Sequence, residues 1–249
     1  MENKKTEIDI ILPNYNSSEF IDKTIKSVLN QNFTNWRLII IDDFSNIDTK
    51  KKIKKYEKLK KIKIYWLKKN RGAAYCRNFA INKSKSKYLA FIDSDDIWKK
   101  NKLKLQLKYM KKNNYDFTYT YYETFGIKSK KIIPPIKFHF ESFIKNTTIA
   151  TSTMMIKKKV SKGIKFTNTK ICEDYHFKCK ILKKVKFAYC LNKFLTKYRI
   201  RKNSLQSNKF KNFFWIWIIN HKYNRLTFFE NLNSLLNISF NSIKKYGFK

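Results

Sequence analysis

Over its first hundred residues the chain alternates short apolar runs with amphipathic or polar stretches, and this constrains the fold more than any other feature. The runs at 8–12, 36–41, 62–67 and 89–92 are mostly apolar, as expected of strands covered on both faces. Between the first two lies a helical pattern with Ser17 or Ser18 as its N-cap and Phe20, Ile21, Ile25, Val28 and Leu29 as its apolar stripe. A lysine-rich helix is expected near 49–60, and another near 73–84 after the turn Asn70-Arg71-Gly72. The order β-α-β-α-β-α-β implies an α/β fold built on a mostly parallel, Rossmann-like sheet with right-handed crossovers.

In such a sheet ligands bind outside the carboxyl ends of the strands. Polar clusters follow the first, second and fourth runs: Pro13-Asn14-Tyr15-Asn16, Asp42-Asp43-Phe44-Ser45 and Asp93-Ser94-Asp95-Asp96. They are expected to converge on one site. Three carboxylates within four positions are unusual in a chain with 18 acids against 56 bases. Asp93 and Asp95 point the same way if the backbone stays extended, and such a pair can share a hard divalent cation. The same cluster also reads as a helix cap. No GxGxxG follows the first strand and no Walker A sequence occurs, so any phosphate needs another holder.

After Trp98 the pattern changes. An amphipathic helix is expected over 99–113, an aromatic strand over 117–125, a loop at Pro134-Pro135, a short helix at 140–146 and a strand at 151–156. Glu173-Asp174 open a helix running to about 183, and short strands are expected at 187–189 and 194–200. Arg199 and Arg201 alternate on the last of these, placed either to hold a diphosphate or to pair with the scarce acids. From 210 onward the chain is aromatic, basic and helical.

These segments resemble the family 2 inverting glycosyltransferases of the GT-A fold. The residues that carry the resemblance are Pro13-Asn14-Tyr15-Asn16, Asp42-Asp43-Phe44-Ser45, Asn70-Arg71-Gly72 with Arg77-Asn78, Asp93-Ser94-Asp95-Asp96 and Glu173-Asp174, in that order. It spans Ile8 to Ser204, as a transferase domain over 1–204 with a nucleotide-binding half (about 1–98) and an acceptor half (about 99–204). Asn101-Lys102-Leu103 and the 197–204 stretch look more narrowly like teichuronic acid, lipopolysaccharide and capsule biosynthesis transferases.

The resemblance implies transfer of a sugar from a nucleoside diphosphate sugar, usually a UDP-sugar, with inversion. It implies that Pro13, Tyr15 and Asp43 or Asp42 line the uridine pocket, and that Asn70, Gly72 and Arg77 close over base and ribose. Asp93 would contact the ribose or the metal, Asp95 would bind Mn²⁺ or Mg²⁺, and Asp174 would be the base, with Glu173 the competing choice. The chemistry needs such a set. A metal stabilises a leaving diphosphate without a proton. An attacking hydroxyl must give up its proton to a carboxylate on another segment. Singly, each residue also has a plain structural reading: Glu173-Asp174 as the acidic first turn of a helix, Arg77 as a surface charge, Tyr15 as packing, Gly72 as a turn.

The net charge of +38 draws the chain toward anionic partners. Dispersed bases and the lack of a recognition motif argue against the alternative of a nucleic-acid-binding protein, while the paired metal acids and base argue against an inactive sugar-nucleotide scaffold. Segment 205–249 has the composition of helices in a membrane interface, fitting a lipid-linked acceptor and a cytoplasmic protein peripheral to the inner face of the membrane; equally, it reads as a helical pair packed on the core. Four cysteines without zinc spacing are expected to be reduced.

Overall fold

The computed structural model describes residues 6–202 and 209–246. The end of the narrower motif at Asn203-Ser204 and the expected boundary at 204/205 lie outside the described residues. The first hundred residues fold as β1 (Ile8–Asn14), α1 (Ile21–Leu29), β2 (Trp36–Asp42), α2 (Ile47–Lys54), β3 (Ile62–Trp66), α3 (Gly72–Lys83) and β4 (Tyr88–Phe91). The parallel strands lie side by side as β3-β2-β1-β4, so the chain reverses its direction of growth at β1. That reversal opens a crevice at the carboxyl ends of β1 and β4.

Beyond β4 the sheet becomes mixed. After β5 (Ile97–Trp98) and α4 (Lys102–Lys112) come β6 (Phe117–Gly126), β7 (Lys130–Ile132), β8 (Lys137–Phe138), α5 (Phe140–Phe143) and β9 (Met155–Lys157). Helix α6 (Glu173–Val185) and β10 (Ala188–Ile200) follow. Strand β9 inserts antiparallel between β4 and β6, and β6 pairs parallel with β10. One sheet thus runs through both expected halves.

Alternate residues of the strands feed two cores, as the strand period requires. Ile8, Ile10, Leu12, Leu38, Ile40, Ala90 and Ile92 pack with α1, α2 and α4 on one face. Ile11, Ile39, Ile41, Leu89 and Phe91 pack with α3, α6 and the carboxyl-terminal helices on the other. At ~25 cal/mol per Å², each fully buried Ile or Leu stabilises the sheet by about 2 kcal/mol.

Several local expectations are corrected. Neither Ser17 nor Ser18 caps α1: the Ser17 carbonyl accepts the Phe20 and Ile21 amides in a preceding turn, and its hydroxyl bonds the Asn14 side chain. Helix α2 ends at Lys54, short of 60. The 151–156 stretch is a 3-10 turn (Thr151–Thr153) before β9. The two short strands expected at 187–200 are one strand, β10, whose register shifts between Leu191 and Thr196 absorb the polar Asn192-Lys193 pair.

Helices α7 (Lys209–Ile218) and α8 (Phe228–Tyr246) form the carboxyl-terminal hairpin, joined by a π-helical turn at Ile219–Tyr223. Lys102 is wholly buried; its ammonium donates to Gln106 Oε1 at 2.7 Å over the Trp98 ring, and burial pushes its pKa down to about 7.

Candidate active site

The site is assembled from the ends of β1, β2 and β4, the start of α3 and the start of α6. At the first two strand ends, polar side chains tie the loops to one another. Asn14 Nδ2 donates to Asp42 Oδ1 (2.8 Å) and to Ser45 Oγ (3.2 Å). Ser45 Oγ accepts the Asn16 amide at 3.0 Å, and Asn16 Oδ1 accepts the Asn46 amide at 2.8 Å. Asp42 is fully buried and accepts the Ser45 amide at 3.0 Å. With their backbones held, these loops leave Tyr15 and Phe44 as exposed aromatic rings, each 52% accessible. Pro13 is half-buried beside them.

Asp43 reaches across to α3. Its two oxygens accept the amides of Arg71 and Gly72, each at 2.7 Å. These are orphan donors at a helix N-terminus, where a negative charge is also favoured by the helix dipole. Gly72 sits at φ 83, a region that a side chain disfavours, and this lets its amide turn toward Asp43. Asn70 Nδ2 donates to the Asp43 carbonyl at 3.3 Å.

Arg77, on α3, is 5% exposed and lies beneath the site. Its Nη2 donates to Asp93 Oδ1 at 2.7 Å and its Nη1 to Glu173 Oε1 at 2.8 Å. One guanidinium therefore joins the acidic end of β4 to the first residue of α6. The pairing holds the Arg77 charge firmly, although burial opposes it, and its Nε has no partner. Arg77 is neither a surface charge nor an exposed wall of the pocket.

At the β4 end, the Asp93 amide donates to Ser152 Oγ at 2.9 Å. Asp95 Oδ2 takes Arg201 Nε at 2.9 Å, and the Asp95 carbonyl takes Arg199 Nε at 2.9 Å. Arg201 thus pairs with an acid, whereas the Arg199 guanidinium bonds a backbone carbonyl; both guanidinium groups lie over the Phe20 ring. Burial pushes the Asp95 carboxyl up; Arg201 pulls it down and Asp93 adds to the rise. Asp96 is fully buried, its Oδ1 accepts the Arg199 amide at 2.8 Å, and burial with Asp95 and Asp93 pushes its carboxyl well above the usual range.

The opposite wall is the start of α6. It is preceded by Cys172 at φ 62, a left-handed conformation rare for a residue with a side chain and common at sites held by their surroundings. Asp174 Oδ2 accepts Lys178 Nζ at 2.6 Å and Thr151 Oγ1 at 2.8 Å. Burial would push the Asp174 carboxyl up, but Lys178, with Arg77 and the Thr151 hydroxyl, outweighs it and holds Asp174 well below the usual carboxylate range.

Thr151, Ser152 and Lys178 shape this site without any signal drawn from the sequence, while Asn14, Phe44 and Ser45 stand in the quoted motifs with no role of their own assigned there. For Lys178 the signal was there: it follows Asp174 by four residues, one helical turn. No group of three or more His, Cys, Asp or Glu side chains able to enclose a metal occurs among the described residues. The strand-end pair of Asp93 and Asp95 is a sparser donor set. Arg77 takes Oδ1 of Asp93 and Arg201 takes Oδ2 of Asp95, which leaves the other oxygen of each carboxylate to offer. Two oxygens fit a Mg²⁺ or Mn²⁺ that draws its remaining ligands from phosphates and water. Burial is the main cause of the raised Asp95 carboxyl, with Asp93 adding to it, and a cation between the two would relieve that added like charge.

Fold and site together define an α/β enzyme of the GT-A class. The chain matches the family model described as "Glycosyl transferase family 2" over residues 9–185, and it belongs to that family. It is 34% identical to the "Putative teichuronic acid biosynthesis glycosyltransferase TuaG" of Bacillus subtilis, over 98% of this chain and 99% of that one. It is 35% identical to the Escherichia coli "UDP-Glc:alpha-D-GlcNAc-diphosphoundecaprenol beta-1,3-glucosyltransferase WfgD", over 82% of this chain and 81% of that one. Its fold superposes with a TM-score of 0.75 on S. aureus TarS 1-349 in complex with UDP-GlcNAc, at 19% identity, covering 96% of this chain and 73% of TarS 1-349.

Proposed function

We propose that this glycosyltransferase moves a sugar from a UDP-sugar to a hydroxyl of a lipid-linked glycan precursor in cell-envelope polysaccharide synthesis, with inversion, at the inner face of the cytoplasmic membrane. The observation that carries this reading is the Arg77 bridge, which brings the acidic end of β4 and the acidic start of α6 together on one guanidinium. The nucleotide-sugar complex of TarS and the lipid diphosphate in the name of WfgD support the donor and the acceptor class.

In this reading Tyr15 stacks on the base, and Pro13, Asp42 and Asp43 shape the pocket around it. Asn70 and Gly72 close its side through their bonds to Asp43. Arg77 works from below, fixing the Asp93 carboxylate. Asp93 and Asp95 would hold Mg²⁺ or Mn²⁺, which when bound supplies a Lewis acid for the leaving diphosphate. Arg201 sits 42% exposed beside Asp95, and with Arg199 it adds positive charge on that side. Asp174, anchored through Oδ2, presents Oδ1 to the acceptor hydroxyl and takes its proton as the hydroxyl attacks the sugar carbon. Thr151 and Lys178 fix its direction. Glu173 is committed to Arg77, which makes it the weaker candidate for the base.

The test is release of UDP from a panel of UDP-sugars, with and without a polyprenyl-diphosphate-linked sugar acceptor. Turnover of at least one donor with Mn²⁺ or Mg²⁺, lost on chelation and restored by the metal, is expected. Turnover unaffected by chelation would remove the metal from the scheme, and no turnover of any UDP-sugar would remove the donor.

A further inference from the structure

Helix α8 turns polar residues inward beside Leu235 and Ile238 and carries its large aromatic and other leucine side chains outward. Its buried face carries Asn231 and Ser234, both fully buried, alongside Ile238. Its exposed face carries Phe229 (79% accessible), Leu232, Leu236 (62%) and Phe240 (68%), spaced three, four and four residues apart, a single stripe down the helix. A helix on the surface of a water-soluble domain shows the reverse order.

The inner polar face is hydrogen-bonded at Ser234, Asn231 Nδ2 and Asn241, while Asn231 Oδ1 is buried without a partner. Ser234 Oγ donates to the Ile144 carbonyl (2.6 Å) behind α5 and accepts Asn220 Nδ2 (3.0 Å). Asn231 Nδ2 donates to the Trp217 carbonyl (3.1 Å), and Asn241 Nδ2 donates to the Lys145 carbonyl (3.0 Å). A hydrogen-bonded inner face fixes the rotation of α8, so the apolar stripe is held outward by bonds on the other side. The stripe continues onto α7: the Trp217 and Phe228 rings meet at 5.5 Å, Phe228 and Phe229 at 5.7 Å, and Phe214 (61%) and Phe210 (89%) lie one and two turns earlier.

We propose that the outer face of α7 and α8 docks on an anionic lipid bilayer. Segment 209–246 contains six Lys or Arg and one acid, Glu230. Glu230 is occupied in capping α8, where its carboxylate accepts the Thr227 amide at 2.8 Å. Exposed Lys222 and Arg225 flank the stripe at the turn and Lys244 flanks its far end. Large apolar side chains bordered by bases suit the boundary between acyl chains and anionic headgroups. A second copy of this chain is the competing occupant, and it would bring another +38 charges toward the same face. No described helix is long and apolar enough to cross a membrane, so the contact is with the surface of the bilayer.

The face is also wired to the site. The Tyr175 hydroxyl donates to Asn220 Oδ1 at 2.7 Å, and Asn220 donates to Ser234 on α8. Tyr175 follows Asp174 directly, so docking sets the orientation of the helix that starts with the acceptor-side acids. This use of the surface rests on the lipid-linked acceptor proposed above; the binding does not.

The experiment is co-sedimentation of the full chain with vesicles of phosphatidylcholine alone or with phosphatidylglycerol, beside the variant L232E/L236E/F240E. The wild type is expected to bind the anionic vesicles, and the variant to bind about tenfold or more weakly while its circular dichroism is unchanged. As a second probe, a fluorophore on Leu236→Cys is expected to shift to the blue on anionic vesicles. Equal binding by wild type and variant, or an unshifted probe, overturns the proposal. So does a wild-type dimer in sedimentation velocity that the variant dissolves without any vesicle binding. Hydrolysis of the UDP-sugar in solution is measured in parallel: vesicle binding without turnover leaves docking standing and removes the transferase reading, and the opposite result does the reverse.

Discussion

Asp95 and Asp174 are equally secluded, their side chains 15% and 17% exposed, yet their carboxyls shift in opposite directions. Burial raises both. At Asp95 it prevails, because Arg201 must work against Asp93. At Asp174 it loses to Lys178, to Arg77 and to the Thr151 hydroxyl. Neighbours, and not depth, separate the two carboxyls. The β4 end concentrates like charge and therefore suits a cation. The α6 start surrounds one carboxylate with donors and keeps it ionised.

Arg77 holds the two stations together, and removing it is the largest expected perturbation. Arg77→Met strands Asp93 and Glu173, which are partly exposed, and is expected to destabilise the fold by about 2–4 kcal/mol. Denaturant unfolding checks it. A loss under about 0.5 kcal/mol, the size of a surface effect, would mean that the bridge is incidental.

Lys178→Met sharpens the comparison with a smaller effect. Asp174 has a folded-state pKa below its unfolded value, so Lys178 stabilises the fold above the unfolded pKa and this is lost as pH falls through the folded one. In the variant the Asp174 carboxyl rises, and the acid limb of kcat/KM against pH is expected to move up by about one unit. An unmoved limb would place the titrating base elsewhere.

How much of this was legible in the sequence differs between the same two stations. The parallel half follows from local pattern: apolar runs, amphipathic stretches and polar strand ends, each readable within a dozen residues. The meeting of Arg77 with Glu173 spans 96 positions, and nothing local announces it. Strand β10 was split by its polar Asn192-Lys193 pair, because a bulge reads as a break. The hairpin showed its aromatic and basic composition, but not which side of α8 faces out. That depends on Asn220, Ser234 and Ile144, which are distant in sequence. The sequence places Asp43 in the pocket, and only the fold shows its bonds to the start of α3.

Asp174, joined to Asp93 through Glu173 and Arg77, is proposed to take the proton from the acceptor. Turnover of Asp174→Asn beside Glu173→Gln, on the donor that the wild type uses, tests it most directly. Asp174→Asn is expected to lose about 10³-fold in kcat with its thermal unfolding intact, and Glu173→Gln about tenfold or less. An active Asp174→Asn, or a Glu173→Gln that carries the larger loss, would contradict it.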